Sequence, residues 1–153
     1  MNEIVITIEK IDWQSINTAY GNANKISGYL KDLVLEDEHI QLEVCHKLWC
    51  ALCHQHAYVS SASKVAFPIL ISIFSKVSEL VQIEMMDIFL GFTICTAPPH
   101  PDAMGDFQKR LRLLIIEQTE WFNTLSQHSN EEIASFSEGV LGAVDLSHWQ
   151  PNH

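Results

Sequence analysis

The densest chemistry in this sequence lies in cysteine and histidine. Residues 48–58 read LWCALCHQHAY, with Cys50, Cys53 and His54 in the order C-x-x-C-H and His46 and His56 on either side. That spacing is the attachment signature for covalent haem, and thiolates with imidazoles are also ligands that zinc prefers. Placed on a helix over 38–55, His46, Cys50, Cys53 and His54 fall at i, i+4, i+7 and i+8 and face one side. The apolar stripe Cys45, Leu48, Trp49 and Leu52 runs beside them. Yet His46 and His54 then lie about 12 Å apart along the axis. One tetrahedral ion holds its ligands at about 2.0–2.3 Å, so all four cannot meet on it. Two could, as Cys50 with His54 or His46 with Cys50. The others would have to come from elsewhere, such as His56, His100 or Cys95. Cysteine is among the most buried residue types and packs like a small hydrophobe. The expectation is therefore a helix end whose cysteines face neighbouring elements, with no cofactor and no metal. The alternative is a metal site, in a binding protein or an enzyme, using Cys50, Cys53, His54 and His56.

Other chemical signatures are weaker. Ser61 and Lys64 have the S-x-x-K spacing of penicillin-recognising enzymes, but the companion motifs are missing. Serines 60, 61 and 63 are better explained as caps at a helix start. No P-loop, Rossmann glycine fingerprint, G-x-S-x-G or HExxH is present. The expectation is a protein that is not an enzyme.

Carboxylates form two groups. Glu36, Asp37, Glu38 and Glu43 gather around one helix start, where acids complement the helix dipole. Glu84 and Asp87 interrupt the apolar region 80–97. A buried carboxylate without partners is costly. That pair must share an exposed edge or line a groove, and the groove is the favoured reading. The whole chain carries 19 acids against 9 bases, a formal net charge of −10 over 153 residues. Such a surface repels phosphate backbones and anionic lipid headgroups, so neither nucleic acid nor membrane is expected. It steers basic proteins inward. Trp149, in the tail, stands off the apolar faces and is a candidate anchor for a partner.

The N-terminal MNEIVITIEKIDW has no basic leader followed by a long apolar run, so no secretory signal is expected and the protein is placed in the cytoplasm. Four cysteines (45, 50, 53, 95) are then expected as reduced thiols.

The elements that would carry these residues are helices. Ile4, Ile6 and Ile8 alternate with Val5, Thr7 and Glu9, which predicts a short extended arm over 1–11. Asp12 is a possible cap for a helix to Tyr20, ended by Gly21. A second helix opens at Asn24, and a third at Glu36–Glu38 runs to about Gln55. A fourth segment, 58–76, holds Pro68, which must kink it or start a new helix nearby. Residues 79–95 are apolar almost all round and predict the most buried helix. Three prolines make 96–101 a loop. One long helix follows, from Asp102 or Asp106 to Leu125, then a last one capped by Asn130. The tail 147–153 is expected to be loose.

The sum is one all-α domain over 1–153. Helices in pairs of about 35–45 residues suit a short HEAT-like solenoid of helical hairpins, with a compact bundle as the alternative. Residue patterns point the same way. Trp13, Ala19-Tyr20-Gly21, Leu30-x-x-Leu33, His54-Gln55 and the run Ala62 to Leu70 resemble a group of small bacterial HEAT-like repeat proteins over roughly residues 12–97. Some members of that group look like immunity proteins, which neutralise a toxin made by the same bacterium. The resemblance implies fold more than chemistry and brings no catalytic residues. The expected function is a protein-binding module with an acidic surface, in its most specific form an immunity-type inhibitor of a basic partner. Glu36, Asp37, Glu38, Glu43, Glu84, Asp87 and Trp149 are its candidate contacts.

Overall fold

The computed structural model describes residues 2–18, 21–53, 59–97 and 105–144, and over them the chain is all-α. The N-terminal twenty residues depart most from expectation. Residues Glu3–Glu9 form a helix, α1, rather than an extended arm. Ile4, Val5 and Ile8 fall at i, i+1 and i+4, so the run that alternates as a strand also makes one helical face. Val5 and Ile8 are buried, and α1 packs on the second and fourth helices. β-branched residues are modest helix formers, but burial of a face outweighs that weak preference. Asn2 caps the first turn, accepting from the Ile4 amide at 2.8 Å.

The helix expected from Asp12 is one 3-10 turn, Trp13–Ser15, followed by a minimal antiparallel hairpin of β1 (Asn17–Thr18) and β2 (Gly21–Asn22). The buried Trp13 indole donates to the Ile8 carbonyl at 2.9 Å, which folds the chain back onto the end of α1. Gly21 sits at φ +118°, a backbone state that glycine adopts without steric cost.

The next four helices are α2 (Asn24–Leu35), α3 (Glu38–Cys53), α4 (Ser61–Phe74) and α5 (Glu79–Cys95). Asp37 opens α3 by accepting from the Ile40 amide at 3.1 Å. α4 runs through Pro68 without a break; the proline is exposed, and the Ser72 hydroxyl donates to its carbonyl. α5 is the most deeply packed helix, although Leu80, Glu84 and Ile94 reach solvent. Met85, Met86, Ile88, Phe89 and Phe92 are all at zero exposure, and α3, α4, α6 and α8 pack around it.

The long helix expected up to Leu125 is two: α6 (Asp106–Glu117) and α7 (Thr119–Leu125), divided at Gln118. α7 carries Trp121 and Phe122 into an edge-to-face cluster with Phe74 and Phe89, at centroid separations of 5.0–6.0 Å. Such packing adds to the burial term and sets the direction of α7. α8 (Glu131–Val144) starts where Asn130 accepts from the amides of Glu132 and Ile133. No described helix is long and apolar enough to cross a membrane. The tail 147–153 lies outside the described residues.

Candidate functional site

The α2–α3 junction is where the acids gather. Leu35 ends α2, and Glu36, Asp37 and Glu38 follow it; all four are exposed, Leu35 by 64%. Sequence reasoning picked out the acids and missed the leucine. A period-3.6 pattern assigns a leucine near Leu30, Leu33 and Val34 to the core face. The helix end is what turns Leu35 into solvent. The junction is tied together where the buried Gln41 amide donates to the Leu33 carbonyl at 3.0 Å. One turn beyond it, Glu43 is exposed and pairs with His39 at 3.2 Å.

On α5, Glu84 is exposed and Asp87 half-buried. Glu84 lies near enough to α3 to act on Cys45. Burial, helped by that charge, pushes the Cys45 thiol up to about 12, so it stays protonated at neutral pH. Trp149 falls outside the described residues.

The C-x-x-C-H stretch divides. His54 and His56 lie outside the described residues, as does His100. Cys53 is at zero exposure and its thiol donates to the Trp49 carbonyl at 3.2 Å, so it packs within the core. Cys50 is half-buried on the side of the helix that lines a cavity, with its sulfur 3.8 Å from Nε2 of His46. The two cysteines therefore do not share the surface that the helical spacing suggested. None of the four cysteines is in a disulfide. Among the described residues, no three His, Cys, Asp or Glu side chains converge as ligands of one ion.

Ser61 and Lys64 also have structural surroundings. The Ser61 hydroxyl accepts from the Asn17 amide at 2.9 Å and pins the hairpin to the start of α4. Ser60 and Ser63 cap α4 and reach back to the end of α3, where the Ser63 hydroxyl donates to the Leu52 carbonyl. Carbonyls at a helix C-terminus have no partner within the helix, so these serines satisfy one end while starting the next.

Cys50 and His46 belong to a cavity of about 610 Å³ that the sequence did not reveal. The hairpin contributes Thr18 and Gly21. The first turns of α2 contribute Asn24, Lys25, Ile26 and Tyr29, and α3 closes the cavity with His46, Lys47, Cys50 and Ala51. The Lys47 ammonium lies 5.5 Å from the centre of the Tyr29 ring, and the His46 ring is tilted against Trp49 at 5.8 Å. Lys25 and Tyr29, at i and i+4, were the available signal on α2. What makes them a site is their meeting with α3, which no local pattern records.

No family model matches the chain, and neither the curated proteins nor the solved structures give a significant match.

Proposed function

We propose that this chain is a protein-binding module whose docking surface is the acidic α2–α3 junction. The observation that supports it is Leu35, a large aliphatic side chain 64% exposed beside three exposed carboxylates. Burying such a side chain is worth about 1.5–3 kcal/mol, which the isolated chain leaves ungained. An apolar anchor within a charged rim is the anatomy of a recognition surface. The net charge of −10 makes the partner a basic protein, drawn in by long-range attraction. Glu43, Glu84 and Asp87 extend the same field. The module works by occlusion: the rim sets approach and the leucine holds contact. The resemblance to HEAT-like immunity proteins gives this its most specific form, an inhibitor covering the working surface of a basic target.

The test compares the wild-type chain, Leu35→Asp and the triple variant Glu36→Gln/Asp37→Asn/Glu38→Gln as baits in host lysate, at low and moderate salt. The expected result is one basic protein retained in stoichiometric amount by the wild type. Leu35→Asp should lose it, and both the triple variant and added salt should weaken it. Equal retention by all three baits would refute this docking surface, and the absence of any basic protein would refute the function.

A further inference from the structure

We propose that the cavity between the hairpin, α2 and α3 binds a small organic anion, with one carboxylate or phosphate group on a flat or aliphatic body. This site is independent of the acidic junction and takes a ligand of opposite charge.

The charge distribution is the first argument. Only 9 residues of the chain are Lys or Arg against 19 Asp or Glu, yet Lys25 and Lys47 both line this cavity beside His46. No carboxylate lines it among the described residues. Among those residues neither lysine is in an ion pair, whereas Lys31 is paired with Glu9 at 3.2 Å. In a protein so rich in acids, two exposed ammonium groups, one from α2 and one from α3, with no acid paired to either among the described residues, create a local positive potential. A ligand anion is the counter-charge that would relieve it.

The second argument is shape and lining. Small-molecule sites occupy roughly 300–1,000 Å³ and combine apolar walls with a few convergent polar groups. Here the volume is about 610 Å³. Ile26, Ala51 and the Tyr29 ring form the apolar part, and Lys47 is held over that ring at 5.5 Å. Ala23, at the N-cap of the twelve-residue α2, has no side-chain oxygen to offer; its carbonyl accepts from the Ile26 amide at 3.0 Å, and the helix dipole adds to the positive potential at this end. The cations are lysines, which act as point charges and not as planar forks. The site therefore selects for negative charge and size, and it accepts carboxylate or phosphate.

Cys50 supplies a built-in reporter. It is half-buried on the cavity wall, while Cys45, Cys53 and Cys95 are buried. Two aromatic disulfides, the dianionic dithiobis(nitrobenzoate) and the uncharged dithiodipyridine, would be reacted with the full chain. In each case the Cys50 thiolate displaces one aromatic thiolate and a mixed disulfide forms. A chain of net charge −10 should by default disfavour the anionic reagent. The proposal requires the reverse: an anionic-to-neutral rate ratio about tenfold above that of a small free thiol. Lys25→Gln/Lys47→Gln should return the ratio to the free-thiol value, with circular dichroism confirming that the fold is kept. Benzoate and phenyl phosphate, tested separately as protectants, identify which headgroup the site prefers. A thiol-independent check follows backbone amide resonances during a benzoate titration and a phenyl phosphate titration of Cys50→Ser. Saturable shifts confined to the hairpin, the start of α2 and the end of α3 support the site. A ratio at or below the free-thiol value, or no saturable shift with either anion, overturns it.

Discussion

Replacing Arg112 by methionine should destabilise the fold by about 2–4 kcal/mol, although among the described residues its charge is in no ion pair. Arg112 lies on α6 with 9% exposure. Its Nη1 donates to the Thr93 carbonyl at 3.2 Å, near the end of α5. Its Nη2 donates to the Ala143 and Val144 carbonyls at 2.8 and 3.2 Å, at the end of α8. One guanidinium thus ties two helix C-termini to a third helix. Carbonyls in the last turn of a helix lack the regular backbone donor, and they carry the negative end of the helix dipole. In Arg112→Met, the Thr93 carbonyl keeps the Thr96 hydroxyl at 3.3 Å. The Ala143 and Val144 carbonyls lose their charged donor, at about 1–3 kcal/mol each. The opposing effect is relief of desolvation, which is real here because burial lowers the pKa of the guanidinium. The net therefore falls short of the full sum.

Urea unfolding of the wild type, Arg112→Met and Arg112→Lys measures this directly. Lysine keeps the charge but has one nitrogen for three carbonyls, so it should recover about half of the loss. In thermal melts each kcal/mol corresponds to roughly 2–4 °C for a chain of this size. Hydrogen exchange adds location, because the last turn of α8 should lose protection before α5 does. A loss for methionine within about 0.5 kcal/mol, the range of ordinary surface substitutions, would refute the reasoning. So would a lysine variant as stable as the wild type, which would mean that the fork geometry is irrelevant.

Two further perturbations test other joints. Cys45 holds its proton up to about 12 in the folded chain against 9.0 for an ordinary thiol. The unfolded chain therefore releases that proton first, and stability should fall between about pH 9 and 12, by up to about 1.4 kcal/mol per pH unit; Cys45→Ala should remove this one-proton slope in alkaline urea titrations. Ser63→Ala should cost only about 1 kcal/mol, because the Leu52 carbonyl keeps the Ser60 amide at 3.1 Å, whereas Ser60→Ala/Ser63→Ala should cost about 2–3 kcal/mol by urea unfolding.

The parts of this fold legible in sequence are those with two agreeing local signals. α5 occupies the predicted 79–95 because Ser78 caps it, apolar residues surround it and prolines follow. α8 begins at Asn130 for a similar reason. The run EIVITIE misled because its β-branched residues satisfy a strand period and a helix face together, and packing on α2 and α4 decides between them. The break at Gln118 has no glycine or proline to announce it; the placement of Trp121 and Phe122 against Phe74 and Phe89 does not show in a helix pattern. Cys50 and Cys53 differ by three residues, which turns the side chain about 60° around the axis. At the edge of a buried face that rotation separates a cavity wall from the core. The cavity itself depends on α2 bringing Lys25 and Tyr29 to the same space as Lys47 of α3, a relation that composition and periodicity do not carry.

The acidic junction and the basic cavity respond to salt in different ways, and that difference separates them physically. A basic protein approaching the junction feels the whole excess of negative charge from a distance. Its association rate should fall steadily as the screening length shrinks to about 8–10 Å. A small anion entering the cavity is repelled at long range by the same excess and attracted at short range by Lys25 and Lys47. Salt screens the distant repulsion first, because contact inside a partly enclosed cavity is less accessible to mobile ions. Modest salt should then leave anion binding unchanged or improve it, over the range in which it weakens protein docking. Two surfaces of opposite sign on one small chain can thus work without interference, provided that the positive one holds its ligand at short range. Lys25 and Lys47, exposed to solvent, meet that condition because they line one cavity from two helices.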